Sequence, residues 1–245
     1  ARRSCRAAVA DDGRAGSAVV PIENTLAGAV PGLLPLLLSS GLPVVAETIV
    51  AIDHVLAGPA GLTVAGVRRV LSHPVALAQC QRFFHDHRHV SAVPVFDTAG
   101  ALDMVMQGDA AHDAAIASRR AAELYGATIL AEHIQDHASN YTRFVHVAPA
   151  TLAPATGPSK AMLAFRLPHE PGSLVRALTP MAWAGVNLTR LDSRPVAGSP
   201  FEYEFFAEAR LRDPVALDRA VQTMAPYVAD VRVIGVFAAA ESVPA

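Results

Sequence analysis

Residues 149–159 read PATLAPATGPS, and the chain changes character across them. Three prolines and no charge describe a linker, a stretch too poor in large apolar side chains to pack. Downstream, residues 162–167 read as a strand and 172–184 as a helix opened by Pro171. Residues 186–191 and 201–209 pair as a hairpin across a turn at 197–200, followed by a helix over 214–224 and a closing strand over 231–237. The order βαββαβ describes a ferredoxin-like sandwich. Upstream, apolar runs at 19–22, 44–52, 67–71, 114–117 and 128–134 read as strands, and 75–84, 99–106 and 119–125 as helices. That alternation predicts α/β architecture with largely parallel sheets.

Composition narrows the function classes. The 245 residues are 52% hydrophobic and 17% charged, which suits a filled core rather than disorder. A net charge of −2 gives no electrostatic reason to expect nucleic acid or an acidic membrane surface as a partner. The most apolar run, residues 30–38, is too short to span a bilayer and is interrupted by Pro31 and Pro35. Two cysteines, Cys5 and Cys80, make no disulfide framework and point to a reducing, cytoplasmic setting. Lys160 is the only lysine, a bias that reads as codon composition. The chain starts at Ala1, and its first residues read as the middle of a domain, so an N-terminally incomplete chain is expected.

Several polar clusters interrupt the apolar pattern. In Pro21-Ile22-Glu23-Asn24-Thr25, a strand runs directly into polar residues, the place where α/β proteins bind ligands. Capping of a following helix by Asn24 or Thr25 explains the same pattern. Ser72-His73-Pro74 marks a strand-to-helix turn, and Gln79 points away from the stripe made by Leu77, Cys80 and Phe84. Solvated surface is the ordinary reading of such a glutamine, and a cleft position the alternative. Asp97-Thr98 and Ala117-Ser118 each place a hydroxyl at a helix start, which serves either a cap or an anion such as a carboxylate. In Ser139-Asn140-Tyr141-Thr142-Arg143-Phe144, an arginine beside a hydroxyl suits a carboxylate substrate, with a surface ion pair as the alternative. His85, His87 and His89 alternate, but without a distant ligand pair they read as a solvated turn rather than a metal site.

Together these clusters resemble one family. Val20-Pro21-Ile22-Glu23-Asn24-Thr25, Ser72-His73-Pro74 with Gln79, and Asn140-Tyr141-Thr142-Arg143-Phe144 stand in the order and spacing of prephenate dehydratases. Beyond the linker, Pro171-Gly172-Ser173-Leu174-Val175 and Asn187-Leu188-Thr189-Arg190-Leu191-Asp192-Ser193-Arg194-Pro195 resemble the two phenylalanine-binding signatures of the attached ACT domain. The family's first strand and glycine-rich loop have no counterpart, Val75 stands for a residue usually polar, and Asp192 for the usual glutamate.

The resemblance implies a two-lobed catalytic region over residues 1–148, like type II periplasmic binding proteins, with crossings near 50–55 and 135–140. A linker over 149–159, an ACT domain over 160–238 and a tail over 239–245 complete the implied organisation. It implies decarboxylating dehydration of prephenate to phenylpyruvate, without a cofactor, in L-phenylalanine biosynthesis. Arogenate dehydratase, or a catalytically impaired phenylalanine-binding regulator, is the alternative. Thr142, Asn24, Ser72, Gln79 and Glu23 become the implied catalytic set, and Arg143, Phe144, Thr98 and Ser118 the substrate contacts, with bracing of the lobes as another role for Arg143. Gly172, Ser173, Leu174, Val175, Asn187, Leu188, Asp192, Ser193, Arg194 and Pro195 would hold L-phenylalanine as an allosteric ligand, in a homodimer or homotetramer.

Overall fold

The computed structural model describes residues 15–108, 111–149, 157–196, 198–199 and 202–240. Its contacts divide the chain into two units. The first gathers the segment ending at Asn24, Gly28–Val50 and everything from Arg143 onward; the second gathers Thr25–Ala27 and Ala51–Thr142. The crossing expected near 50–55 falls at 50/51, and the return falls at 142/143, just beyond the expected 135–140. Cys5, most of the linker, Ala197, Pro200, Phe201 and the end of the tail lie outside the described residues.

The first unit holds two sheets. One has the order β2-β1-β9-β3, built from β1 (Ala18–Asn24), β2 (Gly28–Ala29), β3 (Val44–Ala51) and β9 (Tyr141–Val147), with helix α1 (Leu33–Ser40). The proline-punctuated run at 30–38 therefore contains a helix. Pro35 sits in its first turn, where the missing N–H has no intrahelical partner to lose. The other sheet is the βαββαβ module: β10 (Lys160–Arg166), α6 (Ser173–Trp183), β11 (Asn187–Pro195), β12 (Tyr203–Arg210), α7 (Pro214–Met224) and β13 (Asp230–Phe237). Its order is β11-β12-β10-β13, antiparallel throughout, as the sequence pattern predicts.

Strand β10 is buried on both faces, which accounts for its unbroken apolar run. Ala161, Leu163 and Phe165 pack with Ala177, Met181, Leu217 and Met224 of the two helices. Met162 and Ala164, with Phe206, Ile234 and Phe237, join a core made with Val20, Ile22, Leu33, Leu34, Leu37, Val44 and Val145. The module thus shares a hydrophobic core with the first sheet.

The second unit is a five-stranded sheet, β6-β5-β7-β4-β8. It contains β4 (Val55–Gly58), β5 (Arg69–Ser72), β6 (Ser91–Pro94), β7 (Asp113–Ala117) and β8 (Thr128–Ala131). Helices α2 (Pro74–Ala78) and α3 (Gln81–Asp86) pack on one face, α4 (Thr98–Gln107) and α5 (Arg119–Leu124) on the other. The largely parallel reading needs correction. Strands β5, β6 and β7 are parallel and joined through helices, but β4 lies antiparallel between β7 and β8. It precedes the first helix of the unit, so no crossover fixes its direction. Among the described residues no helix is long and apolar enough to cross a membrane.

Candidate functional site

The helix expected over 75–84 is broken in two, and the break sets Gln79. Helix α2 ends at Ala78 with Gln79 as its C-cap, and α3 restarts at Gln81. The side chain of Asp136 caps the second piece, accepting from the backbone N–H groups of Gln81 at 2.8 Å and Arg82 at 2.9 Å. Between the pieces, Cys80 is fully buried, and burial, with Asp136 nearby, pushes its thiol up to about 12. Gln79 Oε1 accepts from His54 Nε2 at 3.0 Å and from Asn140 Nδ2 at 3.1 Å. His54 and Asn140 are buried, so this amide is oriented by two fixed donors. The partly buried Gln79 lines a cleft of about 280 Å³ with Leu26, Ala27, Val75, Ala78, Asp136 and His137. The cleft position, not plain surface, is where the structure puts it.

Thr25 is tied to the segment that carries Thr142. Its N–H donates to Tyr141 O at 2.9 Å, and its Oγ1 accepts from Tyr141 N at 2.9 Å. Three stretches far apart in the chain, Thr25–Ala27, Ser72–Gln79 and residues 136–142, thereby converge within the second unit. Asn24 ends β1 opposite Gly28 and belongs to the first unit, as do Arg143 and Phe144 in β9.

Several expected site residues have other work. Ser72 is fully buried and its hydroxyl donates to Ile116 O at 2.7 Å, tying β5 to β7, so it supports the turn rather than facing a ligand. His73 caps α2 through Nδ1, which accepts from Val75 N. Asp97 caps α4, leaving Thr98 as the first helical residue. Ser118 caps α5, its Oγ accepting from Ala121 N at 3.1 Å. Ordinary capping thus accounts for Ser118 and for the helix start at Thr98. His87 stacks on Phe83 at 4.5 Å, and among the described residues no acidic, cysteine and histidine cluster could hold a metal ion.

Arg143 requires the largest correction. Its guanidinium donates to Glu23 and Glu208 at 2.7 Å each and to Glu47 at 3.0 Å, all within the first unit. Surrounded by three carboxylates, it is committed to an internal network and not to a substrate carboxylate. Lys160 pairs with Glu47 and Glu208 at 2.8 Å each. Glu47 and Glu208 are almost wholly buried, with side chains 2% and 1% exposed. Burial opposes ionisation of Glu208, but the hydrogen bond and charge of Arg143, joined by Lys160, hold its carboxyl below the ordinary value. Burial likewise disfavours the Arg143 charge, and Glu208, Glu23 and Glu47 more than restore it. Glu23, expected among the catalytic residues, is a member of this network.

In the βαββαβ module, Gly172 caps α6 in the left-handed region at φ 79°, a conformation that favours glycine. Ser173 is buried and accepts from Arg176, while Val175 is exposed. Ser173 and Leu174 line a pocket of about 150 Å³ with Leu167, Pro168, His169, Glu170, Glu202, Tyr203 and Phe205. The second expected signature lies on β11, at one edge of the sheet, with Pro195 opposite Tyr203. Asn187, Leu188, Asp192, Ser193 and Arg194 are not among the residues lining that pocket.

Residues 3–151 match the family model described as prephenate dehydratase. The chain is 38% identical, over 95% of its length, to a bifunctional N-acyl-homoserine lactone acylase/prephenate dehydratase of Komagataeibacter europaeus, of which it covers 83%. It is 37% identical, over 89% of its length, to an arogenate dehydratase/prephenate dehydratase of Arabidopsis thaliana, and spans 60% of that relative. The solved structure of prephenate dehydratase from Arthrobacter aurescens in complex with L-Phe matches with a TM-score of 0.83 and 31% identity, over 94% of this chain and 77% of that one. Such neighbours bear out the two-lobed, type II periplasmic-binding-protein class expected for the catalytic region.

Proposed function

Because this chain belongs to the prephenate dehydratase family, we propose that it converts prephenate to phenylpyruvate, releasing the ring carboxylate as CO2 and the ring hydroxyl as water. The observation that carries this reading is the convergence of Thr25–Ala27, Gln79 and the Thr142 segment within the second unit. The electrons of the breaking carbon–carboxylate bond enter the ring as the carbon–hydroxyl bond breaks, and the departing oxygen takes a proton to leave as water. Aromatisation supplies much of the driving force, so the protein mainly has to assist departure of the hydroxyl. Thr142 does this by hydrogen bonding to the leaving oxygen. A threonine hydroxyl is a very weak acid, so it works as part of a hydrogen-bonded relay rather than as a free proton donor. Gln79 orients the substrate and is itself held in place by His54 and Asn140.

Thr142→Ala is expected to lower kcat by about 10²- to 10⁴-fold, the size of a lost acid–base contribution, with little change in prephenate binding. Near-normal turnover would defeat the assignment. Arogenate and an N-acyl-homoserine lactone, assayed beside prephenate, separate the activities named for the plant and Komagataeibacter relatives. The βαββαβ module acts as an ACT-type sensor for L-phenylalanine, a reading supported by its topology and by the ligand of the Arthrobacter structure. No residue of the β11 signature lines the pocket that Ser173 and Leu174 help form, and pairing with a second copy would bring the two signatures together. Calorimetry showing no L-phenylalanine binding would sink the sensor reading.

A further inference from the structure

The buried charges of the first unit form a closed ring. Arg143 meets Glu47 at 3.0 Å, Glu47 meets Lys160 at 2.8 Å, Lys160 meets Glu208 at 2.8 Å, and Glu208 returns to Arg143 at 2.7 Å. Arg143 and Glu47 come from β9 and β3; Lys160 and Glu208 come from β10 and β12 of the module. Two of the four pairs therefore join the sheets. Burying such charges is costly, and an apolar replacement of the same shape can be equally stable, so stability alone is a weak reason for the ring.

A second guanidinium competes for it. Arg190, on β11, lies 3.5 Å from Glu208 Oε1 and 3.7 Å from Glu23 Oε2. These are the same two oxygens that Arg143 holds at 2.7 Å. Arg190 is anchored on its own strand by Asp192 at 2.8 Å, and its side chain is only 12% exposed. Two arginines thus share two carboxylate oxygens, one with short contacts and one with long. Exchange of the short and long contacts would give a second discrete arrangement, the kind of two-state element that coupling between sites requires.

The chain connects each side of this exchange to a function. Arg143 directly follows Thr142, and Glu23 directly precedes Asn24. Arg190 and Asp192 lie within the β11 signature assigned to the sensor. We propose that Glu208 and Glu23 are shared oxygens of a switch: a ligand that moves β11 transfers them from Arg143 to Arg190 and slackens the strand that positions Thr142. This rests on the dehydratase and sensor readings and names how the second acts on the first. Arg143 and Arg190 are positioning residues, since neither is required to touch substrate.

Arg190→Met removes the competitor while keeping most of the side-chain bulk. Prephenate turnover is measured with and without L-phenylalanine, and L-phenylalanine affinity by calorimetry, on the full chain. A coupling of ordinary size, about 5- to 150-fold, is expected in the unaltered protein. In Arg190→Met the response at saturating L-phenylalanine collapses to within about twofold, and the dissociation constant weakens by about the factor lost from the response, because the ligand can no longer draw on the switched state. Arg190→Lys, which keeps the charge but loses the fork, recovers part of the response. A full response in Arg190→Met overturns the switch, as does equal loss of response in the methionine and lysine variants. Failure of the unaltered protein to bind L-phenylalanine overturns the sensor reading instead, and the switch with it.

Discussion

Gly235→Ala tests the packing of the module on the first sheet with a single methyl group. Gly235 pairs with Met162 in the β10–β13 ladder, where a bulge skips Ile234 and turns both Ile234 and Gly235 toward the first sheet. A Cβ at position 235 would overlap the carbonyl oxygen of Val44 and stand 2.9 Å from the Val44 Cβ and 3.0 Å from its carbonyl carbon. The obstruction is backbone, so no rotamer change relieves it. Either β3 and β13 shift locally, or the sheets part. Parting would expose Met162, Phe206, Ile234 and Phe237, four buried side chains each worth about 1.5–3 kcal/mol, or about 6–12 kcal/mol together. Local overpacking costs about 1–3 kcal/mol, so strain wins over separation. At about 2–4 °C per kcal/mol for a chain of this size, a cost of about 2 kcal/mol lowers Tm by about 4–8 °C. Calorimetric melting should show that shift with the remaining transitions intact, and adding Val44→Ala should not restore it. A Gly235→Ala protein melting within about 1 °C of the parent, against a shift of that size, would refute the close approach and the docking deduced from it.

Two further outcomes follow from buried polar groups. Ser72→Ala loses the hydrogen bond to Ile116 O and should cost about 1–3 kcal/mol in urea unfolding, while turnover per folded molecule falls less than tenfold; collapse of turnover at unchanged stability would return Ser72 to the reacting groups. Glu208, whose folded carboxyl lies below its ordinary value of 4.5, binds fewer protons folded than unfolded in the acid range. Stability from this group is therefore present above about pH 4.5 and lost as pH falls through the lower folded value, and Glu208→Gln should flatten the acid limb of a stability–pH curve. An acid limb as steep in the variant as in the parent would remove Glu208 from that account.

The parts of the fold that sequence made legible are those with one buried face or a strict local signal. Helix α7 starts at Pro214 and ends at Met224, as its periodicity predicts, because its N-cap, Asp213, and its proline are contiguous with it. The break between α2 and α3 was not legible, because the side chain that caps α3, Asp136, lies 55 residues further along the chain. Separation along the chain also hides the setting of Gln79: its position off the helix stripe is visible, but its two donors, His54 and Asn140, lie 25 and 61 residues away.

The charge ring shows why a site of this kind resists reading and where a trace of it survives. Glu23, Glu47, Arg143 and Glu208 each look like one polar position on a half-exposed strand, and a solvated face is the ordinary meaning of such a pattern. Lys160 is different. The single lysine of an arginine-rich chain opens Lys160–Arg166, a strand whose next five residues are all apolar, and such a run marks burial on both faces. A charge at the mouth of a doubly buried strand must find a partner of opposite sign, since an unpaired ammonium there would carry its desolvation cost uncompensated. Periodicity can therefore announce that partners exist. It cannot name Glu47 and Glu208, because those are chosen by which sheet packs on β10, and that choice belongs to the tertiary fold.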